Sequence, residues 1–345
     1  MLDRKAVSLR LLPFIAALFG LELMGCELPS LAGTSEPKGG LFQIFVEKIH
    51  LNPEMPGKID LGLLQYQGGL AISSKAPTFG GLSGLVLMPK GDGLIALTDH
   101  GDVLQAMFVR GKVGQLTGLD IISSHRLRGL NGNHLSRRLD KQDQDAEAIE
   151  RLMDGSFLVS FEIRHRMLRY KGLKAQPSLF SVPPGIEKAP RNGGIESIAP
   201  LPDGRILVLT EKYRTKGKNK GDYIGWLLDQ NGISLGNIYW PGNGLFRPTD
   251  LATLPNGDVL LLQRRYTVAG GPGMRLSLIS ARQIKPGARM LGVELARLAP
   301  PYTVDNFEGL AVFPDKRGGT IIYILSDDNF NPLQRTLLLQ FRLPG

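Results

Sequence analysis

The 345 residues contain one cysteine, Cys26, so no internal disulfide can brace this chain. The motifs that announce several common chemistries are also missing. There is no H-E-x-x-H, no phosphate-binding P-loop and no dinucleotide fingerprint, and Gly271-Pro272-Gly273 reads as a turn. Gly81-Leu82-Ser83-Gly84 is not a nucleophile elbow, because the second glycine follows Ser83 directly. Arg164-His165-Arg166 has an arginine where the histidine phosphatases place a glycine. Nothing has the spacing of a zinc finger, a helix-turn-helix or an RNA-recognition sheet, so no nucleic-acid partner is expected despite a net charge of +9. Stretches of helical period are few.

What the chain has in quantity is glycine (43), proline (23) and enough apolar residues (42%) for a substantial core. That balance predicts many short strands joined by tight turns. The positive charge is spread along the chain, in Arg164, Arg166, Arg169 and Lys171, in the exposed-loop sequence YRTKGKNKGDY, and in Arg264 and Arg265. It reads mainly as solvated surface that favours a small anionic substrate. At the N-terminus, MLDRKAVSLR supplies positive charge and LLPFIAALFGLELMGC a short apolar run, the pattern of an export signal. Leu23-Met24-Gly25-Cys26 resembles the bacterial lipoprotein signal, with Cys26 as the lipidated first residue of the mature chain. The expected layout is a signal peptide over 1–25, a flexible tether over 26–40 and a single domain over 41–345. The mature chain, still at +8 after losing Arg4, Lys5, Arg10, Asp3 and Glu22, would be a monomer held to a membrane on the periplasmic side of the envelope.

A hairpin pattern recurs through the rest. It appears at 81–100, 145–165, 194–213, 247–266 and 306–329: a polar residue, a short apolar strand, a turn that is often Asp-Gly or Asn-Gly, and a second apolar strand. The polar residues, Ser83, Glu147, Glu196, Thr249 and Glu308, are spaced by 64, 49, 53 and 59 residues. A strand-rich repeat of this period predicts a β-propeller of five or six blades. The second strands, such as FLVSF and VLLLQ, are apolar on both faces, as strands covered by a neighbouring blade on each side must be. Closure is expected from the N-terminal LFQIFVEKIHL joining the sheet of the C-terminal TLLLQFRL.

Folding each hairpin about its Asp-Gly pair sets Glu147 opposite Glu162 and Glu196 opposite Glu211, with Glu308 near Asp327 and Asp328. The first repeat offers Ser83 with Asp99-His100, and the fourth offers Thr249 with Arg264. Carboxylates paired at one end of three blades would gather at one mouth of the central channel, close enough to share a cation. Calcium, which takes 6–8 oxygen ligands, suits such a ring, and the tract DKQDQDAE adds Asp143 and Asp145 nearby. Two alternatives need no metal: ion pairs from Arg164, Lys212, Arg247 and Arg264, or protonation of one acid of each pair.

The repeated acid before each hairpin, with N-F-E-G-L-A-V-F and L-S-D-D-N-F near the C-terminus, resembles the bacterial phytase-like family known for esterase-like activity of phytase. The resemblance covers residues 68–343 and implies a propeller in which calcium at the channel mouth receives a phosphate ester. It implies metal ligation by Glu147, Glu162, Glu196, Glu211, Glu308, Asp327 and Asp328, while Thr249 and Arg264 depart from the pattern. Metal-dependent ester hydrolysis is the expected function, with His100, Lys212 and Arg264 stabilising developing negative charge. A binding propeller with a structural calcium site and a lactonase-type propeller hydrolase are the alternatives.

Overall fold

The computed structural model describes residues 43–135, 143–217, 219–242 and 244–345. The export signal, Cys26 and the tether lie outside the described residues. Within them the chain is all β. The helical pieces described are two three-residue 3-10 turns, at Ile186–Lys188 and Ala281–Gln283.

Three N-terminal strands, β1 (Ile44–Lys48), β2 (Asp60–Leu61) and β3 (Leu64–Ser74), come first. Four four-stranded antiparallel sheets follow. Blade 1 comprises β4 (Leu82–Leu87), β5 (Gly93–Thr98), β6 (Asp102–Arg110) and β7 (Leu116–Arg126). Blade 2 comprises β8 (Ala146–Arg151), β9 (Phe157–Phe161), β10 (Arg166–Tyr170) and β11 (Ser178–Phe180). Blade 3 comprises β12 (Ile195–Pro200), β13 (Ile206–Arg214), β14 (Tyr223–Leu228) and β15 (Ser234–Trp240). Blade 4 comprises β16 (Arg247–Thr253), β17 (Val259–Thr267), β18 (Gly271–Ile279) and β19 (Val293–Leu298). Blade 5 is built from β20 (Phe307–Pro314), β21 (Thr320–Ser326) and β22 (Thr336–Leu343), completed by the N-terminal strands.

The first strands of the blades touch in a closed ring, β4 to β8 to β12 to β16 to β20 and back to β4. The propeller therefore has five blades, and the six-blade option is ruled out. The closing strand also differs from expectation. It is β3 that pairs with β22, from Ile72 opposite Thr336 to Gln65 opposite Arg342, and the expected LFQIFVEKIHL segment adds only β1, outside β3. The physical effect is the one required, since the C-terminal strand is no longer an open edge.

The core lies between the blades, divided into one apolar cluster per interface. Leu207, Leu209 and Trp240 of blade 3 meet Leu251 and Leu261 of blade 4, and Leu70 and Leu338 of blade 5 meet Leu85 and Leu94 of blade 1. This is why FLVSF in β9 is buried along its whole length. The inner strands crowd one another near the axis, and a Cβ on Gly309 would stand 2.8 Å from the Leu85 Cβ.

The hairpins fold with a register that differs from the simple Asp-Gly reading, in two steps. At the turn, the Gly155 N–H donates to Leu152 O and the Leu152 N–H to Ser156 O, with Gly155 at φ +83°. That is a three-residue loop with a left-handed glycine, and Gly204 and Gly257 repeat it. It moves the pairing by one residue relative to a two-residue turn. A β-bulge in each inner strand then moves it by one more, between Leu82 and Gly84, Ala146 and Ile149, Ile195 and Ser197, Pro248 and Asp250, and Phe307 and Gly309. Each bulge contains the repeat's polar residue: Ser83, Glu147, Glu196, Thr249 or Glu308. Glu196 is therefore not opposite Glu211, nor Glu147 opposite Glu162. Instead the Glu211 N–H donates to Gly194 O and the Glu162 N–H to Asp145 O. Because the slips total two, and strand faces alternate with period two, the acids keep their side of the sheet.

The bulge positions divide by residue type. The Ser83 hydroxyl donates to Ala146 O in blade 2 at 2.8 Å, and the Thr249 hydroxyl reaches Phe307 O in blade 5 at 3.3 Å. These two short side chains stitch one inner strand to the next, whereas the three glutamates extend into the channel mouth.

A carboxylate-rich mouth with one cationic side

The bulges and the ends of the second strands all lie at one end of the channel. Blade 1 contributes Asp99, blade 2 Asp145, Glu147 and Glu162, blade 3 Glu196 and Glu211, and blade 5 Glu308 and Asp327. Lys212, Arg247 and Arg264 stand against these acids. A bulge turns its residue away from the regular alternation, which lets a side chain beside the axis point at the mouth.

The charges are not mixed evenly. Arg264 Nη2 lies 3.1 Å from Glu211 Oε1 and 3.1 Å from Glu308 Oε1, bridging blades 3, 4 and 5. Lys212 also pairs with Glu211, and Arg247 Nη1 approaches it at 3.7 Å. Glu308 further accepts from Asn306 Nδ2 at 2.8 Å. The ion-pair alternative thus describes one side of the mouth. The fourth cation it invoked, Arg164, turns away to Asp143 at 2.8 Å.

On the other side, oxygen atoms of Asp145, Glu147 and Glu162 lie within 4.8 Å of one another. Glu162 accepts a hydrogen bond from the Gly194 N–H. Glu147 has no hydrogen bond or ion pair among the described residues, and its electrostatic neighbours are acids: Glu162, Asp99, Asp145 and Glu308. Burial first, and these like charges second, push Glu147 well above the usual carboxylate range. The same causes raise Glu196 and Asp327 well above it, and burial raises Glu162 to about 7 despite the Gly194 N–H. Asp99 is raised in the same way, by burial and then by Glu308 and Asp145. On the cationic side, burial alone would lower Arg264, but Glu308, Glu211 and Glu196 more than offset it and hold it above its ordinary value.

The donor set on the acidic side is all oxygen, with no histidine or cysteine among the clustered ligands. That fits a hard cation such as calcium, magnesium or manganese. A half-buried carboxylate whose strongest electrostatic neighbours are acids, as Glu147 is, has what such a cation would satisfy.

Of the seven acids that the resemblance marks as ligands, the structure brings Glu147 and Glu162 into this cluster. Glu211 and Glu308 are drawn to Arg264, and Glu196 feels both sides, with Glu211 the charge that acts on it most strongly and Glu147 next. Asp327 accepts from the Asn329 N–H at 2.7 Å. Asp328 is turned to the loop between blades 5 and 1, accepting from the Gly81 and Phe330 N–H groups and from the Thr336 hydroxyl. Of the three residues expected to stabilise charge, Lys212 and Arg264 meet at Glu211, while His100 stacks on Phe330 with centroids 4.7 Å apart. Asp145 and Asp99 are the additions. Asp145 is the last aspartate of DKQDQDAE, and only the slipped register puts it opposite Glu162.

No curated protein matches the chain. Among solved structures, a gluconolactonase from Xanthomonas campestris is 10% identical, with 88% of this chain and 90% of that chain covered and a TM-score of 0.41. A protein of unknown function from Dyadobacter fermentans is 11% identical, over 87% and 91% of the two chains, with a TM-score of 0.41. A glucose dehydrogenase is 12% identical, over 80% and 98%, with a TM-score of 0.38. Residues 77–330, spanning all five hairpins, match the phytase-like family model described as esterase-like activity of phytase, and the chain belongs to that family.

Proposed function

We propose that the protein is a metal-dependent hydrolase of small anionic esters, working at the carboxylate-rich mouth. The observation that carries this reading is the division of the mouth: Asp145, Glu147 and Glu162 clustered without a basic partner for Glu147, facing Lys212, Arg247 and Arg264. A divalent cation held there supplies Lewis-acid polarisation of a carbonyl or phosphoryl oxygen and a bound water of lowered pKa. Asp145, Glu147 and Glu162 would hold it. Arg247, about half exposed, and Lys212, about one-third exposed, are the rim cations within reach of an anionic substrate group. Glu196, buried and with its carboxyl raised well above the usual range, is the candidate to give a proton to a leaving oxygen beside them. Arg264, held by two carboxylates, is assigned to positioning Glu211 and Glu308.

The test is turnover of p-nitrophenyl phosphate, p-nitrophenyl acetate and glucono-δ-lactone, with calcium, magnesium or manganese and after chelation. Phosphatase activity that is lost on chelation, and reduced about 100-fold or more in Glu147→Gln with the fold intact, is the expected result. Activity on the lactone alone would move the substrate class to lactones. No turnover of any of the three, with a calcium-induced rise in melting temperature retained, would leave a binding propeller with a structural ion.

We further propose lipid anchorage at Cys26, supported by the sequence of residues 1–26. Cys26→Ser should abolish palmitate labelling in a bacterial host and release the protein from the membrane fraction. Labelling that survives the substitution would remove the anchor.

A further inference from the structure

The other end of the channel is chemically different. Beyond Glu147, β8 continues for three residues, roughly 10 Å at ~3.3 Å per residue, to Glu150. Here a cavity of about 420 Å³ is lined from every inner strand, by Leu87 of β4, Glu150 of β8, Pro200 of β12, Ala252 of β16 and both Val312 and Phe313 of β20. Its walls are predominantly apolar, and Glu150 is the one acid in them. Arg151, the one cation in the lining, lays its guanidinium over the Phe157 ring, 5.9 Å from the centroid.

Glu150 accepts a single hydrogen bond among the described residues, from the Arg151 N–H at 3.0 Å. Behind it, Asp250 is fully engaged: Oδ1 accepts from the Leu251 N–H at 2.8 Å, and Oδ2 from the Leu310 N–H at 2.7 Å. Burial raises both acids, Glu150 to about 8, and neither has a basic partner among the described residues. A cavity of this size, apolar over most of its walls with one carboxyl to fix orientation, has the build of a small-molecule site.

We propose that this second mouth binds a small organic ammonium, its apolar body against the channel walls and its cation on the Glu150 carboxylate. The chemistry selects that class over the others. A calcium ion needs six to eight oxygens, and this cavity offers one carboxyl among apolar walls. An anion would meet Glu150 with Asp250 behind it. A neutral apolar molecule would leave the acid without a counter-charge, in a place where charge is costly unless paired. The site is separate from the proposed hydrolytic mouth and does not depend on that reading.

The test is calorimetric titration of the full chain with 2-phenylethylamine, 2-phenylethanol and 3-phenylpropionate, which share an apolar body and differ in head group. The expected result is 1:1 binding of the amine, about tenfold or more tighter than the alcohol, with no binding of the carboxylate. Glu150→Gln should bring the amine to the level of the alcohol, whereas Glu162→Gln, at the other mouth, should leave it unchanged. If Glu150→Gln fails to fold, Ala252→Met, which fills the cavity and leaves the acid in place, should abolish binding of both amine and alcohol. Equal affinity for amine and alcohol, loss of binding in Glu162→Gln alone, or no amine binding at millimolar concentration would each overturn the proposal.

Discussion

Replacing Arg264 with methionine should destabilise the propeller by about 3 kcal/mol at pH 7.5, a large share of the stability of an ordinary domain. Arg264 pairs with acids on both neighbouring blades, Glu211 and Glu308. Glu211 is fully buried and Glu308 nearly so, so removing the guanidinium leaves two desolvated carboxylates facing each other across blade 4. The side chain of Arg264 is 26% exposed, which lets water moderate the loss and sets the figure at the low end of that for a broken buried pair. Glu308, already raised by burial, can also neutralise by binding a proton, so the destabilisation should shrink towards pH 5. A double variant, Arg264→Met with Glu308→Gln, should recover part of the loss, because the orphaned charge is removed with its partner. Urea unfolding at the two pH values, read at constant m-value, measures all three effects. A loss under 1 kcal/mol at pH 7.5, or one independent of pH, would show that Arg264 is only a surface cation.

The second large effect is on pH dependence. Glu162 is raised from 4.5 to about 7, and Asp99, Glu147, Glu196 and Asp327 are raised well above their ordinary range. Unfolded, these carboxyls lose their protons near pH 4–4.5, while the folded chain keeps them to higher pH. Between the two values the native state binds more protons, so stability falls as pH rises. The window opens near pH 4.5 and, for Glu162, closes near 7. Below it both states are protonated and the penalty is absent. Glu162 alone accounts for about 3 kcal/mol, since a tenfold change in proton affinity between the two states is worth about 1.36 kcal/mol. Asp154, held at about 2 by the Ser156 hydroxyl and by Arg169, has the opposite slope, but only below about pH 4.

The metal-free protein should therefore melt at a lower temperature at pH 8 than at pH 5.5, the reverse of most acid-labile proteins. A divalent cation binds the ionised acids, so its stabilising effect should grow with pH and remove most of that fall. Melting curves with calcium and with chelator at the two pH values test this. A calcium effect equal at both, or also present in Glu147→Gln, would place the ion elsewhere.

Much of this architecture could be read from the chain. Two-sided apolar strands in a hairpin repeated five times, three of them turning at Asp-Gly or Asn-Gly, are enough to specify propeller blades, because each strand needs cover on both faces. The acids could also be assigned to one end of the channel, since they recur at one end of each hairpin. That assignment survived a wrong register only because the loop at Gly155 and the bulge at Glu147 each shift it by one residue. A single slip would have turned the acids to the other face.

What the residues alone determined is local: the blades, their turns and the end of the channel where charge collects. Such features depend on contacts a few residues apart, which leave a periodic trace. The tertiary structure decided what lies next to what around the ring. It closed the propeller with β3, gave Arg264 to acids more than forty residues away on either side, and set Glu147 with acids as its strongest electrostatic neighbours. Charge pairing across blades is set by distances through space, and no spacing along the chain records them.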